Sequence, residues 1–134
     1  MMTPSLSTCL FGLLALAPST IATPVSPGNV KRDDLTCSGF GKQPVDEVNW
    51  CIDYLHGKGT DTCLIDGPAS DFCTYGHTKI TGFNETPKQS VSSLCRDVAY
   101  GLQTVVDTCT SDGRVAGGNA AAGNADIFVS IQPA

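Results

Sequence analysis

"VSSLCRDVAYGLQTVVDTC", residues 91–109, sets apolar side chains at Val91, Leu94, Cys95, Val98, Leu102, Val105, Val106 and Cys109. Those positions lie on one continuous face of a 3.6-residue period, which predicts an amphipathic helix across the whole stretch. Asp112-Gly113 just beyond supplies a stop signal. A second helical pattern lies upstream in "PVDEVNWCIDYLHGKG", residues 44–59, where Val45, Val48, Cys51, Ile52 and Leu55 share one face. Pro44 suits a first turn, Asp46 and Glu47 suit the helix dipole there, and Gly57 ends the pattern.

Around these helices the chain reads as strand. "LTCSGFG" (35–41) precedes the first helix, and "TDTCLIDG" (60–67) and "DFCTYGHTKITGF" (71–83) follow it, joined by the turn residues Gly67-Pro68. In "ADIFVSIQ" (125–132), Ile127, Val129 and Ile131 alternate with Asp126, Ser130 and Gln132 as in a half-buried antiparallel strand, with Phe128 breaking the alternation on the outer face. The order β-α-β-β-α-β predicts an α+β fold: a ferredoxin-like split βαβ sandwich, with two helices on one antiparallel sheet and room for an extra C-terminal hairpin. The stretch 117–125, rich in Gly, Ala and Asn, reads either as a contact loop or as a tight hairpin needing positive φ.

The cysteines divide by compartment. "MMTPSLSTCLFGLLALAPSTIA", residues 1–22, has an apolar core too short to span a bilayer and ends in small residues. It reads as a secretory signal peptide, which removes Cys9. Residues 23–32 form a spacer or pro-segment containing "TPVSPGNV", which cannot bury apolar surface, and end in the dibasic pair Lys31-Arg32, a candidate processing site. The expected mature protein is a single cysteine-rich domain, 33–134. It keeps Cys37, Cys51, Cys63, Cys73, Cys95 and Cys109, and an even number in a short secreted chain implies a disulfide framework. On the split βαβ plan, Cys37–Cys95 and Cys73–Cys109 come within reach, leaving Cys51–Cys63.

Charge and motif narrow the function further. Without Lys31 and Arg32 the domain carries six basic and thirteen acidic residues, a net charge of −7. Such a surface argues against nucleic acid as a partner and against electrostatic attachment to anionic lipid. No later stretch is apolar for long enough to anchor the chain in a membrane, so a secreted, extracellular, monomeric domain of about 100 residues is the expectation. No CxxC is present and His56 and His77 have no ligand-like spacing to the thiols, so neither metal nor other cofactor is expected. Asn84-Glu85-Thr86 is an N-glycosylation sequon.

The residues offer two competing readings of activity. A small secreted ribonuclease needs an acid, a base and a phosphate clamp, for which His56, His77, Glu85, Arg96 and Arg114 are on offer. No histidine follows His77 and no GxSxG elbow is present, so no catalytic residue is assigned. A binding protein needs exposed anchors instead. Trp50 and Tyr54 are one turn apart, opposite the first helix's apolar face, and are either an outward contact pair or a pair covered by a loop or the N-terminal residues. Lys58 between two glycines is a basic tip beside them. A glycan-binding wall protein is a further alternative.

The helix "LCRDVAYGLQTVVDTC", the segment "GRVAGGNAAAGNA" and the strand "DIFVSI" together resemble the killer-toxin-like small secreted cysteine-rich proteins of fungi. That family includes the virus-encoded killer toxins of smut fungi and effectors of plant-associated species. The resemblance implies an α/β sandwich, disulfides, a virulence or toxin role and an extracellular protein or cell-surface target rather than catalysis. This chain has fewer cysteines than the smut toxins, and no residue here takes the place of the family's functional lysine.

Overall fold

A computed structural model describes residues 35–134; the signal and spacer segments, with Cys9, Lys31 and Arg32, lie outside the described residues. The first regular elements are the two-residue strand β1 (Gln43–Pro44) and the helix α1 (Val45–Lys58). Val48, Cys51, Ile52 and Leu55 of α1 are buried, the face its sequence pattern indicates. Pro44 precedes the first turn, and the N–H of Val45 is satisfied by the carbonyl of Gly113 rather than by a capping side chain. The helix runs through Gly57 and ends at Lys58, with the Gly59 N–H on the carbonyl of His56.

Next come β2 (Thr62–Asp66), β3 (Ala69–Tyr75), β4 (Thr78–Asn84) and β5 (Ser90–Leu94), and then α2 (Cys95–Cys109). The helix expected from residue 91 thus begins at 95. Val91 and Ser93 also satisfy a period of two, and pairing of β5 with β2, from Thr62↔Leu94 to Asp66↔Ser90, prevails over the helical reading. That pairing also explains a helix start without a side-chain cap: the N–H groups of Cys95 and Arg96 donate to the carbonyls of Asp61 and Gly59. The chain finishes with β6 (Arg114–Val115), β7 (Gly117–Ala121) and β8 (Asn124–Pro133).

The result is a disulfide-stabilised α+β fold, in which the two helices pack on each other and on an antiparallel sheet of order β3-β4-β8-β7. Ile80, Ile127, Val129 and Ile131 of the sheet meet Val48, Ile52 and Leu55 of α1 and Val98, Leu102 and Val105 of α2 in one core. Gly101 brings α2 close to the sheet: a Cβ there would run into the carbonyl oxygen of Ala120 on β7. Three strand expectations change in detail. Residues 35–41 form no strand and contribute only an isolated bridge between Thr36 and Gly118. The stretch 71–83 is two strands, folded at Gly76-His77 with Gly76 at φ +62. The Gly/Ala/Asn stretch is the hairpin rather than the loop: β7 and β8 pair through a turn at Ala122-Gly123.

The cysteines pair as Cys37–Cys109, Cys51–Cys73 and Cys63–Cys95, with Cα separations of 5.2, 5.8 and 5.1 Å. All three expected pairs are therefore corrected. The expected set rested on Cys37 being in a sheet strand and on Cys95 being one turn into α2. Instead Cys95 opens the helix directly from β5, which lays it beside Cys63 on β2. Cys51 on the inner side of α1 faces Cys73 on β3, and the irregular segment at Cys37 reaches the C-terminal end of α2.

Candidate functional site

The outer side of α1 carries Trp50 and Tyr54, which remain 43% and 44% exposed, so neither is covered as part of the core. Their rings lie within 11° of parallel at a centroid distance of 5.6 Å. Lys58, one turn further on, places its Nζ 5.3 Å from the Tyr54 ring centroid. The three residues singled out on this helix therefore form one continuous feature.

The structure adds a fourth member that the sequence reading missed. Tyr75, the last residue of β3, is 42% exposed and stacks on Trp50 at 4.2 Å and 7°. A signal for it existed in "YGHT": a glycine tolerant of positive φ between strand-forming residues marks a hairpin tip, and a tip is where an aromatic can leave the sheet.

Two devices hold Tyr75 against α1. The Cys51–Cys73 disulfide joins the helix to β3 one residue from Trp50 and two from Tyr75. Glu47, in the first turn of α1, clamps the turn itself: its Oε1 accepts hydrogen bonds from the His77 N–H (3.0 Å) and from Thr78 Oγ1 (2.9 Å). Its Oε2 lies 3.8 Å from Nδ1 of His77, whose side chain is almost wholly in solvent. Gly76 has both a left-handed φ and no room for a side chain, because a Cβ would collide with the Glu47 carboxylate. A stacked aromatic pair contributes about 0.5–1.5 kcal/mol beyond its buried area. Two tethers on exposed rings therefore do more than the stacking alone requires.

Beside the rings lies an open concavity of about 380 Å³, lined by Trp50, Tyr54, Asp71, Phe72, Cys73 and Thr74. Successive strand residues point to opposite faces, so a hollow that touches four in a row runs along the edge of β3. Asp71 in that wall accepts a hydrogen bond from Thr81 Oγ1 (2.7 Å) and is 3.7 Å from Lys79 Nζ.

The other residues of interest are dispersed. His56 packs edge-on against Tyr100 at 4.7 Å, His77 sits on the β3–β4 turn, and Arg114 donates to the carbonyl of Lys42. Glu85 follows β4 and Arg96 lies in the first turn of α2. Among the described residues no hydrogen bond or ion pair joins any two of the five weighed for nuclease chemistry, and no three His, Cys, Asp or Glu side chains gather as a metal site. Asn84 of the sequon ends β4 and is half-buried. Its Nδ2 donates to the carbonyls of Gly67 (3.1 Å) and Lys88 (2.8 Å), and its Oδ1 accepts from the N–H and hydroxyl of Thr86. The amide thus closes the β4–β5 loop.

No helix among the described residues is long and apolar enough to cross a membrane. No curated protein and no solved structure matches the chain significantly. A family model described as a domain of unknown function (DUF8794) matches residues 32–133, and the chain belongs to that family.

Proposed function

We propose that this protein is a secreted fungal effector or killer-toxin-like protein that acts by non-covalent binding to an extracellular or cell-surface target of a host plant or competing microbe. The observation that carries this reading is the Tyr75–Trp50–Tyr54 stack, three exposed rings fixed by a disulfide and a carboxylate clamp. Rigid aromatic anchors beside a groove are what protein interfaces use, because large contact area is gained with little ordering cost. A glycan-binding role draws less support, since face-to-face stacking on Tyr75 at 4.2 Å occupies a face of the indole that a sugar ring would need. Three disulfides in a domain of this size suit an oxidising compartment. Secretion by way of the signal at residues 1–22, and a cut after Arg32, complete the proposal.

The test is to apply purified protein, and its Trp50→Ala variant, to plant tissue and to fungal cells. A response to the parent protein that the variant loses supports the reading. Turnover of a polymer substrate with no effect on any cell would sink it. Terminal sequencing of the secreted protein checks the processing step: a start at Asp33 is expected, and a start at Thr23 in most molecules would make Lys31-Arg32 plain surface charge.

A further inference from the structure

Hydrogen-bond alternation identifies which backbone groups face the concavity. The strands β3 and β4 are joined by the two residues Gly76 and His77, with Tyr75 opposite Thr78. In such a hairpin the flanking pair exchanges hydrogen bonds and the next pair, Thr74↔Lys79, does not. The N–H and C=O of Thr74 therefore point away from β4, along the open edge. The same alternation carried across the sheet places Pro133, which has no N–H, at a position opposite Thr78 that needs none. It also leaves the N–H and C=O of Gly118 pointing off β7, where both are bonded to Thr36. At Thr74 no backbone partner is present among the described residues, and Thr74 lines the hollow in front of Trp50 and Tyr54.

We propose that β3 takes an extended, cationic segment of a partner protein as an added strand, with Thr74 supplying the backbone pairing and Trp50 and Tyr54 forming the wall of the groove; this rests on the binding role given above. Strand addition joins main-chain hydrogen bonds to pockets for alternate side chains, and the edge-plus-groove arrangement supplies both. Charge selects the occupant. From Leu35 onward the domain has eleven acidic and six basic residues, and Asp46 and Asp53 flank Trp50 on α1 while Asp71 lines the groove. A cationic segment is drawn in by that field, whereas a second copy would bring like charge to like. The register shift between Asp71 and Cys73 also breaks the edge, which limits pairing to a short segment and discourages the long self-pairing of two copies.

The experiment uses the disulfide-intact protein and synthetic octapeptides of alternating valine and lysine, followed by amide NMR. Saturation with this peptide is expected to shift the Thr74 amide and slow its exchange at least tenfold. A peptide with its alternate nitrogens methylated, which loses donors without touching the protein, is expected to bind at least tenfold more weakly, as is an alternating valine–glutamate peptide. Thr74→Pro, checked for an unchanged melting temperature, is expected to abolish the binding. Equal binding of the methylated peptide, an unmoved Thr74 amide, or no binding by the lysine peptide overturns strand addition. Equal binding of the glutamate peptide overturns the choice of a cationic partner. If Trp50→Ala loses the cellular response while the Thr74 amide stays unmoved, strand addition fails and the aromatic binding surface stands. If Trp50→Ala keeps the response, both fail.

Discussion

Along β7 the sheet is closed by the chain itself, whereas along β3 it is left open. On the β7 side Thr36 exchanges both backbone hydrogen bonds with Gly118, and the Cys37–Cys109 bridge fastens that segment to the end of α2. Helix α2 also sits so close above β7 that residue 101 has to be glycine. On the β3 side a disulfide and a clamp are present too, but they secure side chains rather than the edge: Cys51–Cys73 and Glu47 hold the ring stack, and on its side away from β4 Thr74 has no strand partner among the described residues. An uncovered edge is normally a liability that proteins remove. Here the same kinds of device finish one edge and furnish the other.

The largest expected effect comes from unlocking the closed edge. Replacing Cys37 and Cys109 by Ser frees the widest disulfide loop, with a sequence separation of 72. Chain-entropy arguments put the loss at about 4 kcal/mol. Thermal melting should fall accordingly, and size-exclusion chromatography should show concentration-dependent association once both edges are open. An unchanged elution profile would mean that the bridge contributes stability but no edge protection. The same exchange at Cys51 and Cys73, separated by 22, should cost about 3 kcal/mol and leave the elution profile monomeric.

Gly101→Ala comes next. The added methyl meets the Ala120 carbonyl, and overpacking of this kind costs about 1–3 kcal/mol. Denaturant midpoints give the value, and no loss at all would show that α2 can lift from β7. On the open side, Gly76→Ala should cost about 1–2 kcal/mol through its φ of +62 and its collision with Glu47. It should also alter the fluorescence of Trp50, the only tryptophan, by releasing Tyr75. A destabilised variant with parent-like fluorescence would show that the stack does not depend on the clamp. The smallest stability effect belongs to Trp50→Ala, about 1 kcal/mol, because the ring is partly exposed and only its stacking is lost. Equilibrium unfolding measures it, and a loss above about 3 kcal/mol would place Trp50 in the scaffold rather than on a contact surface.

Where a single periodicity governed a segment, the sequence was enough: α1, β2, β8 and the body of α2 all lie where their patterns point. The errors fall where two periods fit the same residues or where a distant partner decides. Val91 fits helix and strand alike, and only Cys63 and Ile65 of β2, on the far side of the β3–β4 hairpin in the chain, settle the matter. The disulfide pairs depended on that choice and on a strand at Cys37 that does not form, so two local errors propagated to all six cysteines. Of the site, Trp50, Tyr54 and Lys58 were legible as one face of a helix. Tyr75 was not, because it reaches Trp50 through a hairpin and a cross-link that local sequence does not encode.

The position of β8 has a bearing on how the protein is made. It is the strand between β4 and β7, yet it follows every cysteine of the domain in the chain. On the secretory route proposed above, all six thiols therefore enter an oxidising lumen ahead of the strand that forms the middle of the sheet. Cys51–Cys73 and Cys63–Cys95 interlock in sequence, so wrong partners such as Cys51–Cys63 are nearer neighbours than the right ones at that stage. Until Ile127, Val129 and Ile131 arrive, the core that the helices share with the sheet is incomplete, which weakens the preference for the native set. A host rich in disulfide isomerase should consequently yield far more correctly bridged protein than one that merely oxidises.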